Sequence, residues 1–194
     1  DVQTAGRGRL DRRWEAPVGE NLLCSMLFRP PIAHPQHLQH AVALAIIAAT
    51  RHFDVGNVWL KWPNDVIVVE PDTSPRAEYA KLAGMLSTMT ADGSVIIGAG
   101  VNINWSPVGA TSLATIAGHP LSVIDVLRAL LSSLHDLLVC SEDELTDRYR
   151  THLSTIGRHV RVELPSKEVV TGRAVGVSPD GSLEVVDELS LIHI

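Results

Sequence analysis

Apolar positions follow two rhythms along this chain. Leu22-Leu23-Cys24-Ser25-Met26-Leu27-Phe28 is a short apolar run closed by Arg29-Pro30-Pro31, which predicts a buried strand. Over residues 35–53 the apolar residues Leu38, Val42, Ala45, Ile46 and Ala49 recur at helical spacing, and Asp54-Val55-Gly56-Asn57 ends that helix. Residues 58–62 and 66–69 read as strands on either side of Pro63-Asn64-Asp65. Residues 70–78 are polar, with two prolines, and predict a hairpin tip or loop. Residues 79–89 and 95–104 return as strands around the tight turn Ala91-Asp92-Gly93-Ser94. Residues 105–120 hold a short helix at most. Ser122 is placed to cap a helix to Cys140, with Val123, Val126, Leu127, Leu130, Leu131 and Leu134 on its apolar face. Ser141-Glu142-Asp143-Glu144 has the form of a capping box and opens a last helix to Leu153.

Past residue 156 the rhythm changes to alternation, with Val160, Val162 and Leu164, then Val169, then Leu183 and Val185 around Ser178-Pro179-Asp180-Gly181. This predicts short strands of a small β-barrel-like domain or sheet appendage over 156–188, after a larger domain over 1–155. Residues 189–194 do not continue the pattern and are expected to be a non-native tail outside the fold. Strands, a helix, strands and then helices give an α+β class, with a mixed or antiparallel sheet packed with helices. Asp1-Val2-Gln3 reads as the end of a strand whose start lies upstream.

Composition narrows the class. The 194 residues are 45% hydrophobic and 20% charged, which suits an ordinary packed core. The net charge is −6, yet Gly6 to Trp14 carries four arginines, so positive charge is local and marks a site rather than a nucleic-acid coat. Cys24 and Cys140, far apart in apolar contexts, read as buried thiols in a reducing, cytoplasmic setting. No apolar run reaches the length of a membrane span.

Four clusters carry the chemistry. Gln3-Thr4-Ala5-Gly6-Arg7-Gly8-Arg9, followed by Arg12, Arg13 and Trp14, is either a loop closing over an anion or a solvated basic turn. Lys61-Trp62-Pro63-Asn64-Asp65 is either a turn or a set of donors for a triphosphate and its metal. Lys81, three residues before Gly84, reads on its own as a snorkelling edge charge; the functional reading is a cation set on developing negative charge. Gly98-Ala99-Gly100-Val101-Asn102-Ile103-Asn104 lacks the third glycine of a dinucleotide fingerprint and the Lys-Ser/Thr of a P-loop, so it reads as a strand whose glycines make room. His34, His37 and His40 are spaced so as to walk around a helix, and a metal site is not expected there. No Ser-His-Asp or Cys-His set supports a covalent nucleophile.

In this order the four clusters closely resemble the biotin–protein ligases (biotin–[acetyl-CoA-carboxylase] ligases), over residues 1 to about 186. The resemblance implies the biotin/lipoate ligase catalytic fold and a two-step reaction. ATP would activate biotin to biotinyl-5′-adenylate, and a lysine of a biotin carboxyl-carrier protein would take the biotinyl group. It implies contacts to biotin from Gln3, Gly6, Arg7, Gly8, Arg9, Lys81, Gly84, Gly98 and Gly100. Contacts to ATP are implied for Arg12, Trp14, Lys61, Trp62, Asn64, Asp65, Asn102 and Asn104. Lys81 and Arg9 would carry the catalysis, and Asp65 would hold Mg2+. The family's run Gly-Arg-Gly-Arg-Arg-Gly is here Gly6-Arg7-Gly8-Arg9-Leu10-Asp11. The Ser/Thr-rich biotin segment before the first strand and a helix-turn-helix domain are not in the sequence, and the C-terminal domain reads as cut short, so the chain is expected to be a ligase fragment. A homodimer is compatible with the resemblance. The competing readings are a lipoate or octanoyl transferase of the same fold and a non-catalytic regulator that senses the adenylate.

Overall fold

A computed structural model describes residues 3–9, 12–69, 79–164, 166–187 and 190–194. The strand end expected at Asp1-Val2, the Leu10-Asp11 step, the polar segment 70–78 and residues 188–189 lie outside the described residues.

Strands β1 (Leu22–Phe28), β2 (Val58–Lys61), β3 (Asp65–Val69), β4 (Tyr79–Met89) and β5 (Val95–Val101) make one sheet in the order β1-β5-β4-β3-β2, with every pairing antiparallel. Strand β5 shows how the sheet divides space: Val95, Ile97, Ala99 and Val101 are buried, and Ile96, Gly98 and Gly100 between them are only half-buried. Helix α1 (Pro35–Arg51) packs on β2, β3 and β4, and α3 (Val123–Leu138) and α4 (Glu142–His152) pack on α1. A helix in that middle layer must be apolar all round, and His40 through Ile47 are buried without a break. Helix α2 (Leu113–Ala117) is the short helix of the 105–120 segment. The serine caps stand where the sequence places them: Ser122 Oγ accepts from the Asp125 N–H, and Ser141 Oγ from the Glu144 N–H.

The strands stop short of their expected ends. Trp62 falls in the turn after β2, and Asn102 and Asn104 follow β5 instead of belonging to it. The two cysteines, expected to be buried, are both half-buried free thiols.

The C-terminal strands β6 (His159–Glu163), β7 (Val169–Val177), β8 (Leu183–Val186) and β9 (Leu191–His193) form an antiparallel sheet in sequence order. Of the two forms expected, a barrel or a sheet appendage, the sheet is found: β6 and β9 are its two ends, and no pairing between them closes it among the described residues. The tail also differs from expectation. Leu191, Ile192 and His193 pair with Val186, Val185 and Glu184, and Ile194 exchanges two 2.9 Å backbone hydrogen bonds with Leu183. Three residues are too few for a period of two to register, which hid β9 in the sequence.

Residues 153–155 lie along the outer edge of β2. Leu153 bridges Leu60 in parallel, and the Ser154 N–H and Oγ both donate to the Leu60 carbonyl at 2.8 Å. This satisfies part of an otherwise open sheet edge.

His34, His37 and His40 do not spread around α1 as the spacing suggested. Positions three apart on a helix are neighbours, and these rings form a string along α4, with centroids 5.2 and 6.0 Å apart. His34 and His37 approach Glu142 at 3.4 and 3.6 Å, and His40 stacks on Tyr149 at 3.8 Å. Burial first, then the charges of His37 and Arg150, together pull the His40 pKa down to about 4. The unfolded chain therefore takes up the His40 proton more readily than the fold between about pH 6.5 and 4. Stability should be full above pH 6.5 and fall toward pH 4 by on the order of 3 kcal/mol. Urea unfolding of wild type and His40→Phe at pH 7 and 4.5 checks this. The variant should lose much less stability on acidification, and equal losses would place the acid sensitivity elsewhere.

Candidate active site

The sheet face away from α1 carries a row of paired positions running across the strands: Asp65 opposite Gly84, Gly84 opposite Gly100, and Gly100 opposite Leu23. The two facing glycines leave a shallow seat, and the Trp14 ring fills it. A Cβ built on Gly100 would lie 2.5 Å from the Trp14 ring, and one on Gly84 would lie 3.1 Å from it. The buried indole N–H of Trp14 has no partner among the described residues.

Lys81 reaches the same place through a backbone irregularity. The β3–β4 register slips between Val66 and Ile67, so that Val66 faces Ala83 while Ile67 faces Lys81. A bulge of this kind adds one residue to one strand and re-aims its side chains. Lys81 and Gly84, which a regular strand would send to opposite faces, thereby share one face, and the Lys81 Nζ lies 3.0 Å from the Cβ position of Gly84. Its ammonium sits 2.5 Å from Asp65 Oδ1 and 5.4 Å from the centroid of the Trp14 ring. Lys81 is thus a half-buried, paired cation over the glycine row, not the edge charge that it suggests by itself.

The arginine segment folds back on itself. The Gly8 N–H donates to the Arg12 carbonyl at 2.7 Å, the Trp14 N–H to the Gly6 carbonyl at 3.1 Å, and Arg7 bridges Arg13. Gly6 is where the two arms touch: a Cβ there would overlap the Trp14 carbonyl oxygen.

Two cavities meet beneath this segment. The first, of about 520 Å³, lies over the glycine row and is lined by Gln3, Arg7, Gly8, Trp14, Lys81, Gly84, Gly98 and Gly100. The second, of about 770 Å³, lies between the Lys61–Asp65 turn and the C-terminal sheet, and is lined by Lys61, Trp62, Arg158 and Arg161 among others. Arg9, Arg12, Asn64 and Asp65 line both.

Three expected ligand residues line neither cavity. Gly6 shapes the loop. Asn102 is buried and spends its amide on the Lys81 and Thr111 carbonyls and on the Asn21 side chain. Asn104 closes a loop by exchanging two hydrogen bonds with the Leu121 backbone. Trp14, expected on the nucleotide side, lines the first cavity only. The sequence reading missed Cys24, Ser25 and Met85 in the first cavity and Thr155, Arg158 and Arg161 in the second. Burial raises the Cys24 thiol pKa, so it stays neutral. Only the alternation of β6 pointed toward Arg161, and nothing in the sequence pointed to Thr155.

Residues 1–104, which include the whole arginine segment and the glycine row, match the Biotin/lipoate A/B protein ligase family. The chain belongs to that family. Residues 155–194 of this ligase-family chain match the Biotin protein ligase C terminal domain, β9 included. The chain is 31% identical over 194 residues to the biotin--[acetyl-CoA-carboxylase] ligase of Mycobacterium tuberculosis, covering 93% of itself and 69% of that protein. It is 29% identical over 209 residues to the bifunctional ligase/repressor BirA of Bacillus subtilis, covering 94% of itself and 59% of that protein. The chain thus spans roughly three-fifths to two-thirds of the length of these relatives. Among solved structures, the biotin protein ligase of Aquifex aeolicus in complex with biotin and ATP superposes with a TM-score of 0.83 at 27% identity, covering 100% of this chain and 83% of that one. Among the described residues, no helix is long and apolar enough to cross a membrane.

Proposed function

We propose that this ligase-family chain activates biotin with ATP and passes the biotinyl group to a lysine of a biotin carboxyl-carrier protein. In the first step a biotin carboxylate oxygen attacks the α-phosphorus, and pyrophosphate leaves. In the second the lysine amine attacks the acyl carbon, and AMP leaves with the bonding electrons. The observation that carries this reading is the common wall of the two cavities, formed by Arg9, Arg12, Asn64 and Asp65 beside Lys81. A reaction that joins an acyl group to a nucleotide needs two adjoining compartments with positive charge where they meet.

The residues divide accordingly. The uncharged biotin ring suits the half-apolar first cavity beside the indole that fills the glycine seat, with Gln3, Arg7, Gly8 and Gly98 around it. Triphosphate suits the second, where Lys61, Arg12 and the C-terminal arginines gather. Lys81 stands where the carboxylate and the phosphoryl oxygens would meet, and attack of one anion on another calls for such neutralising charge and alignment. Asp65 orients that ammonium. The absence of a nucleophilic serine or cysteine from this scheme follows from the reaction: biotin supplies the attacking oxygen.

Magnesium fits a limited role. No cluster of three metal-ligating side chains exists among the described residues. One carboxylate together with nucleotide phosphates is nevertheless an ordinary magnesium donor set. Asp65, with Asn64 beside it, would hold the ion, which would neutralise phosphate charge.

Pyrophosphate release from ATP by the purified chain tests the proposal. Release that requires biotin, followed by label transfer to a carboxyl-carrier domain, is the expected result. Release with lipoate but not biotin would instead identify a lipoate-type activity. Tight biotin or adenylate binding without turnover would identify a sensor.

A further inference from the structure

The turn that carries Asp65 is gripped from the C-terminal side. The Trp62 N–H donates to Thr155 Oγ1 at 2.9 Å, and the Trp62 indole N–H donates to the Gly181 carbonyl at 3.0 Å. Thr155 stands between α4 and β6, and Gly181 lies in the β7–β8 turn, which Gln36 of α1 ties down through the Pro179 carbonyl at 2.7 Å. On its other side the turn is fixed by Gln39, donating to the Pro63 carbonyl at 3.1 Å, and by an exchange between Asn64 and the Met85 backbone at 2.7 and 2.9 Å. Asp65 follows directly, and Lys81 pairs with it. Thr155 is nearly buried, at 8% exposure, so loss of its oxygen would leave the Trp62 N–H with little access to water.

We infer that Thr155 is a positioning residue for the adenylation step, acting through the Trp62–Asp65 turn on the Asp65–Lys81 pair. The inference rests on the ligase reading. It makes the C-terminal sheet part of the machinery that aims Lys81, beyond its being one wall of a cavity. Chemistry of this kind is sensitive to small displacements, and about 1 Å of misplacement can cost up to about a hundredfold in rate. The hydroxyl oxygen, not the bulk of the side chain, is what matters, so serine serves and valine does not.

Single-turnover formation of biotinyl-adenylate tests this, with wild type, Thr155→Val, Thr155→Ser, Lys81→Ala and the Lys81→Ala/Thr155→Val pair compared. Thr155→Val is expected to slow adenylation about tenfold, with the KM for ATP and the biotin Kd within about twofold of wild type. Thr155→Ser should be within about twofold of wild type in rate. In the Lys81→Ala background Thr155→Val should add less than about twofold, since groups acting through one another are not additive. An undiminished rate in Thr155→Val, an equal tenfold loss in both backgrounds, or a serine variant as slow as the valine one would overturn the inference. Should Thr155→Val fail to fold, Thr155→Ala, which removes the same oxygen and is read against Thr155→Ser, takes its place in the same cycle. A wild-type chain that makes no biotinyl-adenylate would sink the ligase reading itself, whereas an active wild type with additive variants sinks only this inference.

Discussion

Replacing Lys81 with alanine should slow adenylate formation by about 10²–10³-fold in single turnover, the range seen when one preorganised charge or donor at a reacting centre is removed. Two changes act together. The ammonium that would face the carboxylate and the phosphoryl oxygens disappears. Asp65, whose side chain is only 22% exposed, then loses the cation 2.5 Å away and presents its charge to an incoming triphosphate. Biotin affinity should change by less than about tenfold, because most of the first cavity is lined by other groups. Rapid-quench measurement of adenylate together with calorimetric biotin binding separates the two effects. An unchanged single-turnover rate would leave Lys81 only a structural partner of Asp65.

Gly100→Ala should weaken biotin binding by about 10–100-fold, or about 1.4–2.8 kcal/mol. The new methyl carbon would stand 2.5–2.8 Å from three atoms of the Trp14 ring. The backbone cannot yield easily, since Gly100 is paired on both sides, with Leu23 and with Gly84. The indole must therefore leave its seat, and the arginine segment joined to it must shift. The opposite face of β5, with Ile97 and Val101 in the core, is untouched, so the melting temperature should fall by only a few degrees. Gly98→Ala is the informative comparison. Its Cβ would meet nothing nearer than 3.8 Å, and Trp14 is not among its neighbours. An equal loss there would mean that the cavity floor, and not the seat of Trp14, sets the affinity.

Much of the fold was legible because its elements announce themselves by period. The long apolar α1, the serine-capped α3 and α4, and the strands flanking Ala91-Asp92-Gly93-Ser94 all appear in the structure within a few residues of their expected limits. What the sequence hid was relational. Asn102 and Asn104 have the residue type of ligands, yet they serve the backbone, and no pattern along the chain separates these roles. Thr155 and Arg158 become neighbours of Lys61 only when the C-terminal sheet docks. The resemblance gathered the right clusters, but the pairing of Asp65 with Lys81 required the sheet register. The β9 strand was missed because three residues carry too little pattern to be told from a tail.

The register slip in β4 has a consequence in terms of parity. A regular strand assigns each side chain to a face by whether its number is odd or even, and Lys81 and Gly84 have opposite parity. They meet only because one residue is uncounted between them. The position of the cation is therefore encoded in a register, not in any side chain. Were the strand to run regularly through 82–83 at its present length, Lys81 would turn toward the apolar layer, with composition, charge and every cluster of the sequence intact. Sequences of this kind can keep all their recognisable motifs and still lose the site, and the pairing of residues 81–84 with β3 is the first place to look for that loss.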